Sequence, residues 1–326
     1  MPGAAPGRAQ SEAHAETAQV AAHAAMADEP AAEAPVVAPP VPLLWKVSDA
    51  DNSLYLLGSF HLLRPGDHPL AAEVDAAFAD AEALLFEMAP EALASPDLAM
   101  QMGQAALRTD GSTLSQVLPP ETAAKLATWL QRNGDALAAA GLTGEVLERF
   151  EPWYVGLLVS MMDMAGLGLD PALGLDKHFG AEAARAGKPT AGLETAAQQI
   201  AFLDGMDATE QLQFLAEAFD NSLSGNAEVE KLHALWRAGD AEGLWNGLAA
   251  DMRARYPRLY AHINVERNDA WLPQLEARLQ APGSDDTLVV VGALHLLGTD
   301  GVVRKLEARG YAVERVCTAC PGEAGE

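Results

Sequence analysis

The sequence predicts an α/β fold with a mixed, mainly parallel central sheet, an N-terminal β-hairpin and a large helical insertion. Three observations carry that expectation. Two short apolar runs, Leu54-Tyr55-Leu56-Leu57 and Leu288-Val289-Val290-Val291, each end in Gly, as buried strands that open into a loop do. Toward the C-terminus a strand-like run, a loop, a helical stretch and another strand-like run follow one another, a βαβ order that implies parallel pairing. Between these ends, from about position 90 to 280, most apolar residues recur at helical spacing.

In chain order, positions 1–41 read as a disordered Ala/Pro-rich tail broken by Glu12, Glu16, Asp28, Glu29 and Glu33. That stretch lacks the positive start and apolar core of a secretory signal, so the expectation is a cytoplasmic chain as written, or an exported one if the true start differs. The α/β domain is expected over 42–318, with a flexible C-terminus over 319–326. Leu43–Val47 and Ser53–Leu57, separated by Ser48-Asp49-Ala50-Asp51-Asn52, read as the hairpin, because Asp and Asn bond their own backbone in turns. A helix is expected over Asp67–Ala81, followed by the strand-like run Ala83-Leu84-Leu85-Phe86-Glu87-Met88. Glu87 interrupts an apolar run, and a buried carboxylate costs several kcal/mol unless it is paired or bound.

Helical spacing then covers Leu93–Leu107, Pro120–Leu137 and Val146–Met164, with Met161, Met162 and Met164 read as core filling. Gly174-Leu175-Asp176 opens a helix to Ala184, and Thr190–Thr195 is a short strand with an acid, Glu194, near its end. Thr195 is placed to cap the helix that follows. In the helical block from Thr209 to about Arg278, interrupted around Ser222 to Asn226, Glu266-Arg267-Asn268-Asp269 is either a solvated face or a group with Arg267 turned inward, which spacing leaves open. At the end, Thr287–Val291, a helix Val302–Arg309 capped by Thr299 or Asp300, and Tyr311–Val316 form the βαβ unit.

The phrase Gly58-Ser59-Phe60-His61-Leu62-Leu63 is repeated almost unchanged as Gly292-Ala293-Leu294-His295-Leu296-Leu297. Each copy follows a strand, and in open α/β sheets ligands bind at that edge. With His61, Glu87, Glu194 and His295 all at strand ends, imidazole and carboxylate together suit a borderline divalent ion such as Zn²⁺, Mn²⁺, Fe²⁺ or Co²⁺. Such an ion activates water for hydrolysis, with the second carboxylate as general base. Two blander readings compete: His61 and Glu87 as a metal-free acid/base pair, or each His as a strand-end cap. His14, His23, His68, His178, His233 and His262 lack a repeated context and default to surface or satisfied core roles. Cys317 and Cys320 have neither the second ligand pair of a zinc site nor the strand-to-helix setting of a redox motif, so they read as two terminal thiols, able to form a local disulfide if the chain is exported.

A net charge of −25 without a Lys/Arg cluster argues against nucleic acid and anionic lipid as partners. No apolar segment reaches ~18 residues, which argues against stable membrane insertion. The expected partner is a peptide or small-molecule substrate.

Taken together, the two Gly-x-x-His copies, Phe86-Glu87, Gly174-Leu175-Asp176, Gly192-Leu193-Glu194-Thr195 with Gln198, Glu266-Arg267-Asn268 with Trp271, and Gly292–Gly301 resemble the TraB/GumN family, related to the Tiki metalloproteases. The likeness spans about Pro42–Val316, with the motifs in family order. It implies an α/β core similar to erythromycin-esterase-like and ChaN-like proteins. It further implies a metal-dependent hydrolase, foremost a peptidase, with His61, Glu87 and His295 holding a divalent ion (Mn, Co or Zn), and Glu87, Glu194 and Arg267 serving catalysis. The alternative is a non-catalytic protein that sequesters a peptide or small ligand in the same cleft.

Overall fold

The computed structural model describes residues 38–225 and 227–320. Chain contacts set residues 1–38 apart from Pro39–Glu326, and the second unit is described below. Nearly all of the expected N-terminal tail, with His14 and His23, and most of the expected flexible C-terminus lie outside the described residues.

Leu44–Ser48 (β1) and Ser53–Ser59 (β2) form the expected hairpin, antiparallel, with Leu44 opposite Leu57. Its turn is held by Asp49 Oδ1, which accepts from the N–H groups of Asp51 and Asn52 at 3.1 and 3.2 Å. Ala83–Met88 (β3), Thr190–Glu194 (β4), Thr287–Gly292 (β5) and Ala312–Arg315 (β6) complete one sheet in the order β4-β3-β5-β2-β1-β6. The first four of these strands run parallel, while β1 and β6 pair antiparallel. This is the mixed, mainly parallel sheet that the sequence predicts.

Side-chain alternation puts both faces of the central strands into apolar cores. Tyr55, Leu57, Leu288 and Val290 pack on one side, and Leu54, Leu56, Val289 and Val291 on the other. That is why β2 and β5 read as unbroken apolar runs. The inserted helices build a further core of their own around Trp129, Val159, Leu215 and Phe219.

Several local expectations are corrected. The strand order separates β6 from β5: the edges of β5 are taken by β3 and β2, so β6 runs parallel to β5 but pairs with the free edge of β1. The helix expected over Asp67–Ala81 starts at Ala72, after a 3₁₀ turn at Pro65–Asp67 and a cis His68–Pro69 bond. The stretch Val146–Met164 splits, because Pro152 occupies the first turn of a new helix, Pro152–Gly166. On that helix Met162 and Met164 are partly buried but Met161 faces solvent, 49% exposed, so it is not core filling. The N-cap of Val302–Glu307 is Gly301, without a side-chain cap.

Other details agree with expectation. Thr195 caps Ala196–Asp204 through a reciprocal box with Gln198. Cys317 and Cys320 are joined in a disulfide. His68, His233 and His262 bond to the Leu173 carbonyl, Asp67 and the Phe202 carbonyl, at 3.0, 2.8 and 2.6 Å. Among the described residues no helix is long and apolar enough to cross a membrane.

Asp67 fastens the segment after His61 to the helical insertion. Its buried carboxylate accepts from the Arg64 N–H at 2.7 Å, from His233 Nε2 at 2.8 Å and from Arg237. Burial alone would raise its pKa, but these donors outweigh it and lower the group to about 2. Because the folded value lies below the unfolded one, this contribution is present above about pH 4 and disappears as pH falls through about 2. At neutral pH it amounts to about 2 kcal/mol. The stability difference between the parent chain and Asp67→Asn, measured by urea unfolding, should therefore be about that size at pH 6 and shrink toward zero near pH 2.

Candidate functional site

The strand order assembles the site. Because β4, β3, β5 and β2 are parallel neighbours, their C-terminal ends share one edge, which carries Glu194, Glu87, His295 and His61 in that lateral order. Register sets the two Gly-x-x-His phrases one residue apart: Gly58 lies opposite Val291, and Ser59 opposite Gly292. His61 sits in the loop two residues beyond β2. His295 lies in a single helical turn, Ala293–Leu296, directly after β5. Both Nε2 atoms face the same oxygen, Glu87 Oε1, at 3.9 Å from His61 and 3.8 Å from His295.

Each imidazole is oriented from behind. His61 Nδ1 donates to Asp176 Oδ2 at 2.8 Å, and Ser59 Oγ donates to the same oxygen at 3.0 Å. Asp176 lies in the first turn of Leu175–Ala186 (α1). That helix start abuts the His61 backbone so closely that a Cβ on Gly174 would stand 1.9 Å from the His61 carbonyl oxygen. Only glycine fits there.

On the other side, Asn268 Nδ2 donates to the Asp300 carbonyl at 2.8 Å, which leaves its Oδ1 to accept from His295 Nδ1 at 2.7 Å. The proton of His295 is thus on Nδ1, and its Nε2 presents a lone pair, which accepts from Arg267 Nη1 at 3.1 Å. Burial lowers the His295 pKa to about 3, Arg267 and His61 adding to the effect and Glu87 opposing it. The His61 ring, 54% exposed, behaves oppositely: burial lowers it, but the Asp176 charge and hydrogen bond, with Glu87, raise it to about 9.

Arg267 turns inward, which settles the question left open by spacing. It follows a π-helical turn, Ala261–Val265, and lies on Glu266–Leu279 (α2). Its guanidinium donates to Glu87 Oε2 at 2.7 Å and to both oxygens of Glu194 at 2.8 Å. Glu194 is buried and also accepts from Trp271 Nε1 at 2.8 Å. Glu87 Oε1 accepts from the Gly292 N–H at 2.7 Å. Burial would raise the Glu87 pKa, but the charges of Arg267 and His61 and the Gly292 N–H hold it below the ordinary carboxylate range.

Glycine at 292 keeps the centre open. A Cβ there would meet Glu87 Oε1 at 3.1 Å, His61 Nε2 at 3.2 Å and His295 Cδ2 at 3.6 Å, so it would fill the space between the three side chains. Two imidazoles anchored at Nδ1 and one ionised carboxylate are the donor chemistry of a borderline divalent ion. Among the described residues no group of three or more His, Cys, Asp and Glu is drawn tightly enough to hold an ion as it stands. Arg267, hydrogen-bonded to both Glu87 and His295 Nε2, spans the gap between them.

Sequence reasoning placed His61, Glu87, Glu194, Arg267 and His295, and the fold brings all five together. It gave no role to Asp176, Asn268, Ser59 or Trp271. Asp176 looks like an ordinary first-turn acid, and only the closeness of Gly174 to the loop turns it toward His61.

The fold and site define an α/β protein that gathers two histidines and two glutamates around a largely buried arginine at the edge of a parallel sheet. This chain belongs to the TraB/PrgY/gumN family, whose sequence profile matches residues 43–315. It is 23% identical over 319 residues to "Metalloprotease TIKI1" of Danio rerio, a match covering 85% of this chain. The chain spans 64% of the length of that relative. No solved structure matches this chain.

Proposed function

We propose that this chain is a metal-dependent hydrolase, foremost a peptidase, with His61, Glu87 and His295 as the residues that hold a divalent ion. The observation that supports it most is the shared target of the two imidazoles. Both Nε2 atoms lie within 3.9 Å of Glu87 Oε1 around the space that Gly292 leaves free, while both Nδ1 atoms are tied by Asp176 and Asn268. Two donors each about 2.1 Å from one tetrahedral ion lie roughly 3.4 Å apart, so the imidazoles and Glu87, at 3.9 and 3.8 Å, would have to draw in by about half an ångström to share an ion. The relative named as a metalloprotease points the same way.

When bound, a cation such as Mn²⁺, Co²⁺ or Zn²⁺ supplies Lewis acidity that polarises an amide carbonyl and makes water acidic near neutral pH. The protein's own residues do the rest. Glu87 is ionised and fixed by the Gly292 N–H and Arg267, so it is in the right form to accept a proton or to ligate. Arg267 offers a fixed cation next to the centre, where negative charge develops on a carbonyl oxygen. Glu194 acts through Arg267: with its oxygens committed to the guanidinium and to Trp271, its role is positioning.

A second reading rests on one observation, the line Asp176–His61–Glu87: His61 Nδ1 is bonded to Asp176 at 2.8 Å, and its half-exposed ring places Nε2 3.9 Å from Glu87 Oε1. Held in that way, His61 with Glu87 would serve as a metal-free acid/base pair.

The test is metal content and peptide hydrolysis of the purified chain, before and after chelation and reloading with Mn²⁺, Co²⁺ or Zn²⁺. About one ion per chain, with hydrolysis lost on chelation and restored on reloading, is the expected result. Hydrolysis untouched by chelation would favour the acid/base pair. Bound peptide without cleavage under every ion would overturn both in favour of a sequestering protein.

A further inference from the structure

We propose that the cavity beside Glu87 and Arg267 is a specificity pocket that takes one apolar side chain of a peptide, next to the amide to be cleaved. The inference rests on the hydrolase reading above. The cavity measures about 130 Å³ and is lined by Glu87, Gln199, Phe202, Leu203, Ile263 and Arg267. Pockets for whole small-molecule ligands run to roughly 300–1,000 Å³, so this one has room for a single side chain rather than a free ligand.

Its walls are tied to the charged centre by the chain itself. Phe202 and Leu203 come from Ala196–Asp204, the helix that starts directly after Glu194 and Thr195. Ile263 comes from the π-helical turn immediately before Arg267. Leu203 and Ile263 are backed by the buried cluster of Ala106, Trp153, Met206 and Leu259, which keeps those walls in place. Phe202 is held by His262, whose Nε2 bonds the Phe202 carbonyl at 2.6 Å, and the Arg267 guanidinium lies 5.8 Å from its ring centroid.

Charge complementarity excludes ionic side chains. The two charged lining residues, Glu87 and Arg267, are paired with each other at 2.7 Å, and Arg267 is further neutralised by Glu194. A Lys or Asp side chain entering the cavity would lose water without gaining a partner. An aliphatic or aromatic side chain pays no such cost and covers Phe202, Leu203 and Ile263. Among the described residues the Gln199 carboxamide makes no hydrogen bond to any protein group, so it is available at the rim for the N–H and C=O of a peptide backbone.

The experiment uses the full chain and two peptides that differ at one residue beside the cleaved bond, Leu in one and Asp in the other. Binding is read from fluorescence anisotropy of labelled peptide, and turnover from product formation, so the two readouts are independent. The Leu peptide should be preferred by about tenfold or more. Phe202→Asp should collapse that ratio toward one, and Phe202→Ala should move the preference to a larger side chain such as Trp, with circular dichroism confirming that both variants fold. Cleavage with equal use of both peptides, or a preference that neither variant moves, would overturn the pocket while leaving the hydrolase reading standing. Leu-selective binding that Phe202→Asp removes, with no cleavage under any ion, would support the pocket and overturn the hydrolase reading.

Discussion

Replacing Arg267 with leucine is expected to cost the metal-free fold about 3–5 kcal/mol, because it leaves two carboxylates in the interior without their cation. Arg267 bonds Glu87 and both oxygens of Glu194, and burial strips these acids of the water that would otherwise support their charge. The guanidinium stays charged in this setting: burial would lower its pKa, but the two facing carboxylates raise it further. Urea unfolding at pH 7 measures the loss. Adding Glu194→Leu to the variant should restore part of it, since the orphaned charge is then removed as well. The deficit should also shrink as pH falls through the carboxylate range, because Arg267 helps to hold the Glu87 pKa low in the parent chain and that contribution disappears as Glu87 protonates. A loss below about 1 kcal/mol, independent of pH, would mean that water rather than Arg267 supports the two acids.

Removing either imidazole should have the largest effect on chemistry. In His61→Ala and His295→Ala, ion affinity and hydrolysis should both fall by more than the roughly 10–100-fold that loss of an outer partner costs. Asp176→Leu and Asn268→Leu supply that smaller scale, since each releases the Nδ1 that orients one ring. Ion binding followed by calorimetry separates the two tiers without depending on turnover. A His295→Ala chain that binds the ion as tightly as the parent would remove His295 from the centre.

Much of this arrangement is visible in the residues themselves. Glu87 stands out because an ionisable group inside an apolar run demands a partner, and the partner proved to be Arg267 with the Gly292 N–H. The duplicated Gly-x-x-His phrase stands out because two strands end in the same way. By contrast, β6 was expected beside β5, since local order says that two strands run parallel but not which edges remain free. Met161 shows the same limit on a helix, where apolar spacing marks one face without saying where that face stops.

The sequence by itself determined the strands, the residue types at their ends and the family that those motifs mark. These follow from local period, glycine punctuation and the cost of burying charge, all of which act within a few residues. Tertiary structure alone decided the lateral order β4-β3-β5-β2, which places Glu194, Glu87, His295 and His61 side by side. It also decided that Arg267 and Asn268 turn inward and that Asp176 meets His61, 115 positions away in the chain. Such choices depend on which elements are already packed against an edge or a face, and that information is shared among distant segments rather than carried by any one of them.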